Sequence, residues 1–279
     1  MGKKVFLVPT DFSKVGDCAL NHAIAIAKLT GASINLLHVV GKKEMLDDAR
    51  LKLKLAKERA REEYEFIVDT VARVGSIFED IGDLAEELQA SLVVMGTHGL
   101  RGMQFITGSR ALKIVTSATT PFIIVQEKEI TRNGYDDIVV PLDLHKETKQ
   151  KLSLVADMAK YFNSRVHIIV PCESDEFLKN QIDRNVNYAE NFFAEMDIPC
   201  TSKISDGKED FDDEIIAFAK EINADLISLM NIPGISLANL IGGNYVQNII
   251  TNEPEIAVLL MNPKEVSHAS IFGAYSGGG

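Results

Sequence analysis

Four segments from the first half of the chain return, in the same order, in its second half. VFLVPTDFS (5–13) is echoed by DIVVPLDLH (137–145), and INLLHVV (34–40) by VHIIVPC (166–172), both 132 residues on. ASLVVMGTHG (90–99) returns as ADLISLMNIPG (224–234), and TSATTPFIIVQ (116–126) as TNEPEIAVLLM (251–261); Met95 meets Met230 and Gly99 meets Gly234 at a spacing of 135. Conserved order with so little drift in spacing marks a duplicated unit. Each copy, of about 130 residues, has the size of an ordinary single domain. The reading puts domains at 1–128 and 135–263. The polar stretch QEKEITRNGYDD (126–137), interrupted by Asn-Gly, reads as the linker, and 264–279, ending FGAYSGGG, as a flexible tail.

Inside each copy two periodicities alternate. KVFLVP, SINLLHVV, SLVVMG and PFIIVQ are short continuous apolar runs, the pattern of parallel strands buried on both faces. Between them lie longer segments with helical spacing. In FSKVGDCALNHAIAIAKLTG the apolar positions form a broad stripe, and Gly31 follows as a stop signal. SIFEDIGDLAEELQA opens with Ser76 and Glu79 spaced as a capping box. The alternating part of EFIVDTVARVG (65–75) reads as the third strand. Five strands alternating with helices in each half demand an α/β fold: two tandem Rossmann-like domains, each a parallel, doubly wound sheet.

Charge and cysteine content narrow the function classes. Twenty-nine basic against 40 acidic residues give a formal net charge of −11, which opposes binding to nucleic acid or an anionic membrane. The densest basic stretch, ARLKLKLAKERAREE, carries its own acids and reads as a solvated helix face. Cys18, Cys172 and Cys200 are odd in number and lack metal-site spacing, so a reducing cytoplasm is the expected location and neither a disulfide framework nor a metal site is expected. The apolar run before Pro9 is too short for a signal peptide, and no run approaches the ~18 residues of a membrane span.

In a doubly wound sheet, ligands bind beyond the carboxyl ends of the strands, where strand order reverses. Pro9 and Asp11 close the first strand, Val39 the second, and Met95 to Gly99 the fourth. Gly96, Gly99 and Gly102 permit close approach of backbone N–H groups to an anion, and Ser109, after Gly108, stands near the N-cap of a helix beginning around TGSRALKIV. An Asp11 carboxylate suits ribose hydroxyls, so the set fits a nucleotide better than bare phosphate. The alternative is that the glycines serve turns only and Asp11 caps the first helix. Neither half contains G-x-x-x-x-G-K-[ST], or G-x-G-x-x-G after its first strand.

VPTDFS after the first strand, LLHVV at the second and MGTHG…GS after the fourth resemble the universal stress protein family in its tandem, two-domain form. The resemblance implies five-stranded sheets, association through the last strands and, in some members, binding of ATP or AMP; the two halves are expected to form an internal pseudo-dimer, and Mg2+ to accompany the phosphates. It also implies the roles of matching residues. Asp11, beside Pro9, would bind ribose and the Val39 backbone the base. Met95 and Gly96 would pack on adenosine, and Gly99, Gly108 and Ser109 would hold phosphates, with His98 in the same loop. The family spacing is nine residues between the second and third signature glycines; here eight separate Gly99 from Gly108.

The second half keeps Asp143, Gly234 and Gly243 but has Asn231 for Gly96, Pro233 for His98, Asn244 for Ser109 and Pro171 for Val39, so its site is expected to be degenerate. GISLA (234–238) lacks the second glycine of a nucleophile elbow, and no catalytic residue is assigned. With no general base evident, any ATP hydrolysis is expected to be slow and incidental. The expected function is a stress-response module that binds an adenine nucleotide in its first half and acts on an unidentified protein partner, as a monomer or homodimer. A nucleotide-independent interaction scaffold is the alternative.

Overall fold

The computed structural model describes residues 4–97, 113–115, 118–144, 149–231 and 245–263. The chain divides into two compact units, Met1–Ile130 and Thr131–Gly279. GISLA (234–238), Pro233, Gly243, Asn244 and the tail 264–279 lie outside the described residues.

In the first unit the strands are β1 (Val5–Pro9), β2 (Ser33–Val40), β3 (Val68–Val74), β4 (Leu92–Gly96) and β5 (Phe122–Val125). They lie in the order β3-β2-β1-β4-β5, every pair parallel. Helices α1 (Lys14–Thr30), α2 (Leu46–Tyr64) and α3 (Ile77–Glu87) connect them. Phe6, Leu7, Val93, Val94 and Phe122 are fully buried, as the continuous apolar runs require for a sheet covered on both faces.

The helix ends follow their capping chemistry. Ser13 is the N-cap of α1, its side chain accepting from the Gly16 N–H, and Gly31 ends the helix in the left-handed region at φ 69°. Ser76 caps α3 by accepting from the Phe78 N–H. In return the Ser76 N–H donates to the Asp80 carboxylate at 2.8 Å, not to Glu79, so the box is closed one residue later than the spacing predicts. α2 buries Ala49, Leu53, Ala56 and Ala60 and exposes Leu51, Leu55 and its charges.

The segment after β5 is no loose connector. Lys14 and Asn21 of α1 meet Glu127 and Glu129 at 2.7 and 2.9 Å, and both Cys18 Sγ and His22 Nε2 face the Lys128 carbonyl. Burial pushes the His22 imidazole down to about 4, so at neutral pH its Nε2–H donates to that carbonyl.

The second unit repeats the topology with β6 (Asp137–Pro141), β7 (Arg165–Val170), β8 (Cys200–Ile204), β9 (Leu226–Met230) and β10 (Ala257–Met261), in the order β10-β9-β6-β7-β8. These pairs are also parallel. Among the described residues its helices are α4 (Lys151–Phe162), α5 (Glu176–Ala194), α6 (Phe211–Glu221) and α7 (Tyr245–Ile250). Among the described residues no helix is long and apolar enough to cross a membrane.

Candidate functional site

The register shows where the first unit opens. β1 and β4 pair only at Phe6–Leu92 and Leu7–Val93, so Val8–Pro9 and Val94–Gly96 part toward their carboxyl ends. This is the switch point, because β2 and β3 extend to one side of β1 and β4 and β5 to the other. β2 outruns β1: the last pair is Pro9–Leu37, yet β2 continues to Val40. The Thr10 N–H donates to the Leu37 carbonyl at 2.8 Å, while Gly75 N–H takes the Val40 carbonyl on the opposite side at 2.9 Å. Strand alternation therefore turns the Val39 carbonyl to the β1 side, past the end of β1. By the antiparallel setting of C=O and N–H across a peptide plane, the Pro9 carbonyl points toward β4.

The loop from β1 into α1 is fixed by its own side chains. Asp11 Oδ1 accepts from the Ser13 N–H at 3.0 Å, and Thr10 Oγ1 accepts from the Phe12 N–H at 3.0 Å. Between them Phe12 is held at φ 62°, a left-handed conformation that costs a non-glycine residue about 1–3 kcal/mol and persists only where its surroundings impose it. The Phe12 ring lies 4.5 Å from that of His38, whose Nδ1–H donates to the Thr10 carbonyl at 2.7 Å. Thr10, Phe12 and His38 thus hold Asp11 in place. Neither spacing nor composition signals this set; only the strand register brings His38 beside the loop.

The structure brings Pro9, Asp11, Val39, Met95 and Gly96 to the carboxyl ends of β1, β2 and β4. Met95 is fully buried. Gly96 has a packing reason of its own: a Cβ there would stand 2.3 Å from Val15 Cγ1 and 3.2 Å from the Val15 carbonyl oxygen, so its bareness lets the first turn of α1 close on β4. The cap of α1 is Ser13, and Asp11 acts one step back, closing the turn that presents Ser13. His98, Gly99, Gly102, Gly108 and Ser109 lie outside the described residues. Among the described residues, no three His, Cys, Asp or Glu side chains are grouped to hold a metal ion.

The second unit parts in the same way, β6 and β9 pairing only at Ile138–Leu226 and Val139–Ile227. Its overhang is shorter. After the last pair, Pro141–Ile169, β7 ends at Val170, one residue on, where β2 runs three residues past Leu37. Pro171, the counterpart of Val39, has no N–H to extend the ladder. Asn231, where the first unit has Gly96, carries a side chain that donates to Asn262 Oδ1 at 2.7 Å.

A parallel sheet wound from both sides, with a crevice at the reversal of strand order, defines a Rossmann-like α/β protein. Residues 3–126 match the family model described as the universal stress protein family. Universal stress protein MJ0531 of Methanocaldococcus jannaschii is 30% identical over 141 residues, 44% of this chain and 82% of that protein. Universal stress protein MJ0577 of the same organism is 27% identical over 158 residues, 46% of this chain and 97% of that protein. The chain belongs to the universal stress protein family. A solved universal stress protein from Archaeoglobus fulgidus shares the fold over 95% of this chain and 100% of its own, with a TM-score of 0.75 at 18% identity.

Proposed function

We propose that this universal stress protein binds an adenine nucleotide, ATP or AMP, in the crevice of its first unit and uses the bound state to alter its contacts with a protein partner in a stress response. Asp11 accepts from ribose hydroxyls, the Val39 carbonyl receives the exocyclic amine of the base, Met95 and Gly96 border the adenosine, and Gly99, Gly108 and Ser109 cradle the phosphates beside His98, with Mg2+ accompanying them. The observation that carries the reading is the parting of β1 from β4 with Asp11 fixed at its mouth and β2 overhanging one side. A carboxylate accepts at both oxygens, so the bond to Ser13 does not exhaust Asp11. No proton-transfer group is assigned, and the reading is one of binding, not turnover.

The test is a calorimetric titration of ATP and AMP into wild type and Asp11→Ala. Loss of a hydrogen bond to a charged group, about 1.5–3 kcal/mol, predicts affinity about 10- to 150-fold weaker. Unchanged affinity in a folded variant removes the ribose assignment.

A nucleotide-independent scaffold is the second reading. Two observations favour it: Gly96 is explained by Val15, and Asp11 by the turn before α1.

A further inference from the structure

The second unit buries a lysine in the place where its crevice would open. Lys151, at the start of α4, is 2% exposed, and its Nζ donates to the Pro141 carbonyl. The Leu142 N–H donates to Ile169 on the β7 side, so the Pro141 carbonyl points the other way, into the gap left where β6 and β9 part. The ammonium therefore bonds the very acceptor that the splayed strands leave without a ladder partner. Pro141, Leu142, Asp143, Phe211, Met230 and Tyr245 wall what remains, a space of about 20 Å3. That suits one water molecule, whereas ligand pockets run to ~300–1,000 Å3.

The contrast with the first unit is direct. At the repeat spacing of 132, the counterpart of Lys151 is Ala19, and that of Pro141 is Pro9, whose carbonyl points into the first crevice. One unit has a methyl group where the other has a butylammonium. A buried charge is strongly unfavourable without compensation. Here burial pulls the ammonium toward neutrality while Asp143 pulls the other way. Tyr245, half-buried, stands near Asp143 and Asp212, and α5 braces the loop by donating from Asn185 to the Asp143 carbonyl at 2.8 Å and from Gln181 to the Leu144 carbonyl at 2.8 Å.

We propose that Lys151 is an internal cation that plugs the second crevice: it occupies the switch-point space, holds Pro141 and Asp143 in the absence of ligand, and limits the chain to one nucleotide, in the first unit. The count of one rests on the function proposed above; the plug does not. A chain shorn of this ammonium but left with its cavity accepts a small primary alkylammonium ion in its place.

Two measurements on the full chain separate these claims. Thermal unfolding of Lys151→Ala and Lys151→Met is followed with ethylammonium chloride or sodium chloride at equal ionic strength. The plug predicts that Lys151→Ala melts lower than wild type and that ethylammonium, not sodium, saturably recovers most of the loss. Lys151→Met, which fills the space without charge, is expected not to respond. Equal responses of the two variants overturn the plug. Equilibrium dialysis with radiolabelled ATP is expected to give one nucleotide per wild-type chain, lost in Asp11→Ala. Two per chain, or one that survives Asp11→Ala and is lost in Asp143→Ala, also overturns it. No binding to wild type contradicts the proposed function alone, and the ethylammonium arm still decides Lys151.

Discussion

His22 offers a quantitative test of how α1 holds the segment after β5, because one buried imidazole joins the two. Burial lowers it from 6.5 to about 4, and its Nε2 faces the Lys128 carbonyl at 3.1 Å. Between those values the unfolded chain binds a proton that the folded chain refuses, so stability rises with pH across the window. The contribution is complete above 6.5 and is lost as pH falls toward 4, with nothing further below. At pH 5 the linkage amounts to about 2 kcal/mol, almost all of it present at pH 7. His22→Gln keeps an N–H for Lys128 and removes the titration. Urea unfolding at pH 7 and pH 5, read through amide exchange within α1 so that the signal belongs to the first unit, should show wild type losing about 2 kcal/mol more than His22→Gln between the two pH values. Equal losses would refute the assignment of His22 as a buried neutral imidazole.

Gly96→Ala should destabilise the first unit by about 1–3 kcal/mol, and Val15→Ala in the same chain should recover part of the loss, because the new Cβ meets Val15 Cγ1 at 2.3 Å; chemical denaturation of the single and double variants checks this. Ser13→Ala removes the α1 cap and should cost about 1 kcal/mol by the same assay, with faster amide exchange in the first turn. Lys151 is lowered from 10.5 to about 8 by burial, so the unfolded chain holds the extra proton between those values and wild type should gain stability as pH rises through them. Lys151→Met should lack that rise and, because it strips the buried Pro141 carbonyl and Asp143 of their cation, should be less stable than wild type at pH 7 by about 1–3 kcal/mol, as measured by urea unfolding; a variant as stable as wild type at pH 7 would count against the plug.

The fold was legible because its signals are local and repeated. Runs such as SLVVMG are too short and too continuously apolar for amphipathic helices, and the alternation of the two periodicities, seen twice, admits few other topologies. The third strand, where apolar and polar residues mix in VDTVARV, is an edge strand of its unit with several exposed side chains, which is why its pattern is weakest. The site was legible by position and less so by role. Asp11 and Gly96 fall where the pattern puts them, yet each also answers a packing demand, the Ser13 turn and the approach of Val15, that only three-dimensional register exposes. Lys151 was invisible because a lysine in a helical stripe reads as surface, and its burial depends on the parting of β6 from β9. The tethering of residues 127–129 escaped for a similar reason: polar composition describes a linker, and contacts with α1 lie more than 100 residues away in sequence.

The central claim is that the first crevice holds an adenine nucleotide. Freshly purified protein, denatured and its released small molecules identified by mass spectrometry, tests this with the fewest assumptions. The account predicts about one adenine nucleotide per chain, absent from a folded Asp11→Ala variant. An empty protein that also fails to take up added ATP would contradict it, leaving the glycines of MGTHGLRGMQFITGSR as features of the fold and the chain as a scaffold.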